Sequence, residues 1–226
     1  MKKSMLAILL CSSPVAASEI EVDLNNLSNI SKAGTEDLSI ISEFNGYELS
    51  GAGHRKDIQL AGLDWQFFYG VDTFVEKPNS DKIGALTDIG AIKHMPGDEP
   101  VHANRYSWDG GSYADYTEQF NHAMSLGDGG FSFNVKAEGI GRYKLDLYTH
   151  NWLSSADVTA CIKQQCVTIK NDITTHMTGV QNSIVFNTTS IDDQLIVTYK
   201  RVARQWDYSQ SEGYHSLEAI NLSEVK

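Results

Sequence analysis

Gly141-Arg-Tyr-Lys-Leu-Asp-Leu-Tyr-Thr-His-Asn-Trp152 is the stretch around which the chain is organised. Tyr143, Leu145 and Leu147 alternate with Arg142, Lys144 and Asp146, and successive side chains of a strand point to opposite faces. One face is therefore expected to be buried and the other wet, as in a strand of a two-sheet sandwich. Tyr148, His150, Asn151 and Trp152 end the run with large polar-tipped groups that an apolar core has little use for. The stretch reads as a core strand that carries side chains out to a rim.

The same period recurs on both sides. Phe131, Phe133 and Val135 alternate with Ser132, Asn134 and Lys136, and Leu195 to Val202 is a second strong strand. Ser183 to Asn187 fits between them, and Tyr214 to Leu222 closes the domain. Ile58 to Tyr69, aromatic-rich and stopped by Gly70, predicts the first strand. Thr117 to Leu126 is read as a strand in a hairpin with the Phe131 strand, across Gly127-Asp-Gly-Gly130, in preference to a helix. Residues 76–102 hold Pro78, Pro96 and Pro100 and are expected to be mostly loop, with a brief strand between Ile83 and Ile92. Strands recur about every 10–15 residues with turn signals between them, and no segment sustains a 3.6-residue apolar period. The expected fold is all-β, an antiparallel sandwich or jelly roll.

Lys2 and Lys3, the apolar run Met5 to Leu10 and the small residues up to Val15-Ala16-Ala17 have the layout of a secretory signal peptide. The apolar run is well short of the ~20 residues that span a bilayer. Cleavage after Ala17 is expected, since Leu10 is too bulky before Cys11 for a lipoprotein signal; the mature chain would be secreted or periplasmic. Residues 18–56 read as a polar leader able to add one edge strand by docking, and residues 57–226 as one β-sandwich domain. Loss of the two lysines takes the formal net charge from −11 to −13. So acidic a chain repels phosphate backbones and anionic membranes, so no nucleic-acid partner and no membrane insertion are expected.

Cys161 and Cys166 are the two cysteines left after such cleavage, and they flank Ile162-Lys-Gln-Gln165 within a β-branched stretch. If Lys163-Gln164 is a two-residue turn, the cysteines face each other at a non-hydrogen-bonded position, where a disulfide can form. A redox pair would want Cys-x-x-Cys, and a zinc site more ligands nearby. A structural staple is the favoured reading.

Enzyme signatures are missing. There is no Gly-x-Ser-x-Gly elbow, no His-Glu-x-x-His and no phosphate-binding glycine loop. The histidines at 54, 94, 102, 122, 150, 176 and 215 have no metal-ligand spacing. Asp192-Asp193 reads as a solvated turn. No cofactor is expected; were Ca²⁺ to bind, Asp109, Asp115, Asp128 and Asp207 would be its oxygen donors, though they stand in no recognised spacing.

Aromatics beside polar groups are the richer signal. Arg105-Tyr-Ser-Trp-Asp-Gly-Gly-Ser112 sets Trp108 and Asp109 beside two glycines, and His150, Asn151 and Trp152 end the central strand. Arg201, Arg204, Trp206, Asp207 and Tyr208 follow the late strand. A sugar offers C–H patches for aromatic faces and hydroxyls for Asp, Asn or Arg. Trp65, Trp108 and Trp152 can equally fill the core with their N–H groups satisfied locally, whereas Trp206 is the best exposed aromatic.

Gly62-Leu-Asp-Trp65 with Tyr69-Gly70, Ile83-Gly, Ile89-Gly and Arg105-Tyr-Ser-Trp-Asp-Gly110 make the first half of a longer pattern. Gly130-Phe-Ser-Phe-Asn-Val135, Tyr143-Lys-Leu-Asp-Leu-Tyr148, Val158-Thr-Ala160 and Ser216-Leu-Glu-Ala-Ile-Asn-Leu222 complete it. Over residues 57–222 this order resembles a poorly characterised group of galactose-binding-like jelly-roll modules of secreted bacterial proteins. The resemblance implies a carbohydrate-binding module of the kind found beside polysaccharide-degrading domains. The Cys hairpin departs from the glycine turn expected there.

The leading expectation is a secreted, non-catalytic protein that binds a neutral polysaccharide or glycan. Trp152, Trp206 and Tyr208 would stack on it, with Trp108 and His150 nearby, while Asp109, Asn151 and Arg204 would hydrogen-bond. Next comes a polysaccharide-acting hydrolase or lyase on the same scaffold using His150, Asp146 and Arg201. Third is a protein-binding surface, matrix or adhesin component.

Overall fold

The strand from Gly141 to Trp152 forms over the residues its alternation predicts and lies at the middle of the largest sheet. The computed structural model describes residues 30–46, 56–68, 74–90, 92–95, 104–108, 116–117, 122–126, 129–152, 155–171, 177–202 and 214–226. Among these, the strands in chain order begin with β1 (Ile30–Gly34), β2 (Leu38–Gly46), β3 (Asp57–Leu60), β4 (Asp64–Phe68), β5 (Phe74–Glu76) and β6 (Thr87–Ile89). Next come β7 (Ile92–Met95), β8 (Arg105–Trp108), β9 (Tyr116–Thr117), β10 (His122–Leu126), β11 (Gly130–Lys136) and β12 (Gly141–Trp152). The last are β13 (Ser155–Ile162), β14 (Gln165–Asn171), β15 (Met177–Thr188), β16 (Gln194–Val202) and β17 (Tyr214–Glu224). No helix occurs among the described residues, so none there is long and apolar enough to cross a membrane.

Nine strands make the large sheet, ordered β1-β2-β15-β12-β17-β10-β7, with β4 also on β17 and β5 on β4. The second sheet is β14-β13-β16-β11-β6 and the third β3-β8-β9. All pairings among the described strands are antiparallel except β3 with β8. Tyr143, Leu145 and Leu147 of β12 join Ile184, Phe186, Ile220 and Leu222 against Phe133, Val158, Val197 and Tyr199 of the five-stranded sheet. Each fully buried aliphatic side chain here contributes about 1.5–3 kcal/mol. The opposite face of the large sheet is partly covered too: Trp65 and Phe67 of β4, with Tyr148 and Ala219, pack on Ile58, Leu60, Tyr106 and Trp108 of the three-stranded sheet. The result is a sandwich with a third layer on part of one face.

Three expectations change. Ile58 to Tyr69 is two strands in two sheets rather than one, because Gly62 passes too close to β17 for the strand to continue. A Cβ on Gly62 would lie 2.0 Å from the Leu222 carbonyl oxygen, and the Gly62 N–H donates to Asn221 Oδ1 at 3.0 Å. The Asp64 carboxylate then pins the new strand, accepting from the N–H groups of Trp65 and Ile83, each at 2.8 Å. Second, β10 is a strand but not the hairpin partner of β11: it pairs with the part of β17 that β4 leaves open, while β11 belongs to the five-stranded sheet. Third, residues 30–46, within the segment read as a leader, supply two strands; β2 runs beside β15 and sends Leu38 and Ile40 into the main core.

The cysteine hairpin forms as read. Lys163-Gln164 turns between β13 and β14, Cys161 faces Cys166 with Cα atoms 4.1 Å apart, and the pair is a disulfide. Lys163 adopts φ 55°, the left-handed geometry such short loops need. The staple ties edge strand β14 to β13. Closing so short a loop is worth about 2 kcal/mol, and Cys161→Ser with Cys166→Ser is expected to cost that amount in urea unfolding. An unchanged midpoint would show that the edge strand holds without it. At the neighbouring turn Asp193 accepts from the N–H groups of Thr189 and Ser190 at 2.7 and 3.0 Å and pairs with Lys163 at 3.1 Å. The backbone donors, led by Thr189, hold its carboxyl below the usual range. Asp193 is a structural cap.

Candidate functional site

The face of the large sheet away from the main core carries an ordered set of polar side chains. Register puts Glu43, Gln181, Tyr148, Ala219 and Phe67 in one row across β2, β15, β12, β17 and β4. Ile41, Ser183, Asp146, Asn221 and Trp65 form the next. The three-stranded sheet covers the aromatic end of both rows. The polar end is left as a shelf beside it.

Asp146 is the hub of that shelf. Its Oδ1 accepts from Ser183 Oγ at 2.5 Å and Gln181 Nε2 at 3.3 Å, and its Oδ2 pairs with Lys144 Nζ at 2.8 Å. These partners shield it almost completely, so the carboxylate that alternation placed on the wet face is 2% exposed. A carboxylate so saturated acts on a ligand through the groups it holds: it fixes the Gln181 amide and the Lys144 ammonium, both partly exposed.

A bulge shapes the wall of the shelf. Tyr148 pairs with Ala219 but Thr149 pairs with Leu217, so Glu218 is an inserted residue in β17. Its buried carboxylate accepts from Tyr106 Oη at 2.5 Å across to the three-stranded sheet. Asn104 Nδ2 donates to the same phenol oxygen at 3.4 Å, and the Lys56 N–H donates to Asn104 Oδ1 at 3.2 Å. Lys56 Nζ reaches back to Glu43 at 2.6 Å. Tyr148 meets Tyr106 edge-on, ring centres 5.8 Å apart. Burial, and secondarily the charge of Glu218, pushes the Tyr106 phenol well above its ordinary range. Burial and then Asp146 do the same for Tyr148. Both phenols stay protonated, as neutral hydrogen-bonding groups.

Of the side chains expected to meet a ligand, Trp108 and Asn151 are described and both are buried. Trp108 is 2% exposed and stacks on Phe67 with ring centres 5.3 Å apart; it is a core aromatic between the third layer and the large sheet, as is Trp65. Asn151 points to the main core, where its Oδ1 accepts from Tyr199 Oη at 2.9 Å. The backbone of His150 and Trp152 lies at the end of β12, opposite Gly179 and Met177; their side chains, with Asp109, Arg204, Trp206 and Tyr208, lie outside the described residues, as do Asp115, Asp128, Asp207 and the segment 1–17. Trp152 pairs with Tyr214, and Val202 pairs with Ser155 just beyond it, so β12 and β16 finish at one end of the sandwich. The two polar rows cross β12 at Asp146 and Tyr148, on the way to that end. Arg201 is buried in the five-stranded sheet and Asp146 faces the shelf, so the large sheet separates two of the three side chains considered for catalysis.

Gln181, Ser183, Lys144, Glu218 and Tyr106 carry no local sequence signature. The Glu43–Lys56 pair and the Asp146 hub need strand register, and only Lys144-Leu-Asp146, two residues apart on one strand face, was readable as a pair. Among the described residues no group of three His, Cys, Asp or Glu gathers as a metal site would.

No protein-family model and no curated protein matches the chain. Among solved structures it is similar to TmCBM61 in complex with β-1,4-galactotriose, at 8% identity and a TM-score of 0.31, over 50% of this chain and 74% of that one. A likeness of this size transfers neither fold nor ligand.

Proposed function

We propose that this chain is an exported protein that binds a neutral glycan without transforming it, on the shelf of the large sheet and the adjoining strand ends. One observation carries the reading: Asp146 holds the Gln181 amide, the Ser183 hydroxyl and the Lys144 ammonium in one fixed, partly open group. Vicinal hydroxyls of a sugar ring need such a fixed pairing of donors and acceptors, and pre-ordering lowers the entropic cost of binding. Trp152, Trp206 and Tyr208 supply the stacking faces in this reading, from segments that continue from the ends of β12 and β16. The disulfide supports an oxidising compartment, in line with the signal peptide expected at residues 1–17. A binding role without turnover is supported by the partners of Asp146, whose two oxygens are taken up in holding Ser183, Gln181 and Lys144.

The test is a screen of the oxidised protein against soluble glycans and insoluble polysaccharides, with and without EDTA. Neutral glycans are expected to bind, and Trp152→Ala or Trp206→Ala to weaken them by about 1–2 kcal/mol, roughly five- to thirtyfold. Loss of binding in EDTA would add a calcium site. Silence across the panel would sink the reading in favour of a protein partner.

A further inference from the structure

The outward face of the five-stranded sheet plays no part in that reading, yet its side chains are sorted into rows. Thr168, Thr159, Thr198, Ser132 and Thr87 stand side by side on β14, β13, β16, β11 and β6, an unbroken line of hydroxyls across the whole sheet. All five are exposed or half-buried. Thr159 and Thr168 share a hydrogen bond of 2.8 Å, and Thr198 Oγ1 donates to Ser132 Oγ at 3.5 Å. At ~4.8 Å between strands the line is about 19 Å long. On one side of it lies a row of the Cys161–Cys166 disulfide, Ile196, which is 51% exposed, and Asn134. On the other lies Lys170, Asp157 and Lys200.

Threonine is common on exposed strands, and cross-strand pairing accounts for the Thr159–Thr168 contact. Neither accounts for hydroxyls in register over five strands, between a mainly apolar row and a row that sets Lys170 and Lys200 on either side of Asp157. Charge makes the face more unusual. The chain carries −11 overall, whereas the outward strand positions of this sheet hold Lys136, Lys170 and Lys200 against Asp157 alone. A chain of uronic acid residues presents the matching set of C–H faces, hydroxyls and carboxylates. We propose that this face docks an extended acidic polysaccharide, lying across the strands with its hydroxyls on the Thr/Ser row and its carboxylates over Lys170 and Lys200. Repulsion from acidic groups elsewhere is screened beyond about 8 Å at physiological salt, so the local charge decides.

The proposal is independent of the shelf on the large sheet, and the experiment separates the two. The full oxidised chain is titrated with polygalacturonate and with a neutral glycan in about 0.15 M salt. Polygalacturonate is expected to bind, about tenfold more weakly after Lys170→Gln with Lys200→Gln. Thr159→Val with Thr198→Val keeps shape and strand preference and is expected to cost about threefold or more, with the melting temperature held. Neither pair should alter neutral-glycan binding. The proposal is overturned if the wild-type chain ignores polygalacturonate, or if both folded variant pairs bind it as the wild type does. It is equally overturned if sedimentation shows a dimer that the Thr pair disperses, which would give the face to a second copy of the chain.

Discussion

Phe67→Ala is expected to cost about 3–5 kcal/mol, the largest loss of any single truncation considered. Phe67 is buried between the large sheet and the third layer, its ring centre 5.1 Å from Tyr106 and 5.3 Å from Trp108. Ile58, Leu60, Trp65 and Val75 complete the same cluster. Removing the ring leaves a cavity that rigid neighbours on two sheets cannot close, so the cavity penalty adds to the lost transfer energy. In a chain of this length 1 kcal/mol shifts the melting temperature by about 2–4 °C, giving a fall of about 6–20 °C. Ile196→Ala, on an exposed position, should change little. A Phe67→Ala loss below about 1 kcal/mol would mean that the third layer is not packed on the large sheet.

High pH should unfold the protein steeply. Tyr106, Tyr148 and Tyr199 are all buried, and burial is the leading cause that raises each phenol above its ordinary value. Above pH ~10 the unfolded chain releases phenolic protons that the folded chain retains. Stability is therefore untouched below that pH and lost as pH rises, by about 1.4 kcal/mol per pH unit for each phenol, or ~4 kcal/mol per unit for the three. The sequence has ten tyrosines. In a spectrophotometric titration at least these three should ionise only together with loss of the near-ultraviolet circular dichroism. Smooth ionisation of all ten with the dichroism intact would contradict their burial.

What was legible in the chain followed from local rules. The alternation from Tyr143 to Leu147 marks β12 to its ends, and the six residues from Cys161 to Cys166 dictate the stapled hairpin. Where a distant partner decides, local reading fails. The break at Gly62 exists because Leu222, far along the chain, lies against it. β10 leaves its expected hairpin because β17 has an edge to fill. Leu38-Ser-Ile-Ile41 looks like a short apolar run in a polar leader, yet pairing with β15 buries Leu38 and Ile40 completely. The shelf is the extreme case. Asp146, Gln181 and Ser183 meet only through the register of β12 with β15, and Glu218 faces Tyr106 only because a bulge shifts β17 by one residue. Trp108, by contrast, has the composition of a binding aromatic and the address of a core one.

If the Asp146 shelf meets the glycan, calorimetric titration of Gln181→Ala will register the loss of one of its donors. The neutral glycan that binds the wild-type protein best is titrated into wild type, Gln181→Ala and Lys144→Ala, with melting curves on the same samples. Gln181 and Lys144 are partly exposed, so both variants should fold. Loss of a fixed donor is expected to weaken binding by about 1–1.5 kcal/mol, roughly five- to tenfold, in each variant. Wild-type affinity in both folded variants would place the glycan elsewhere on the protein and overturn the assignment of the shelf.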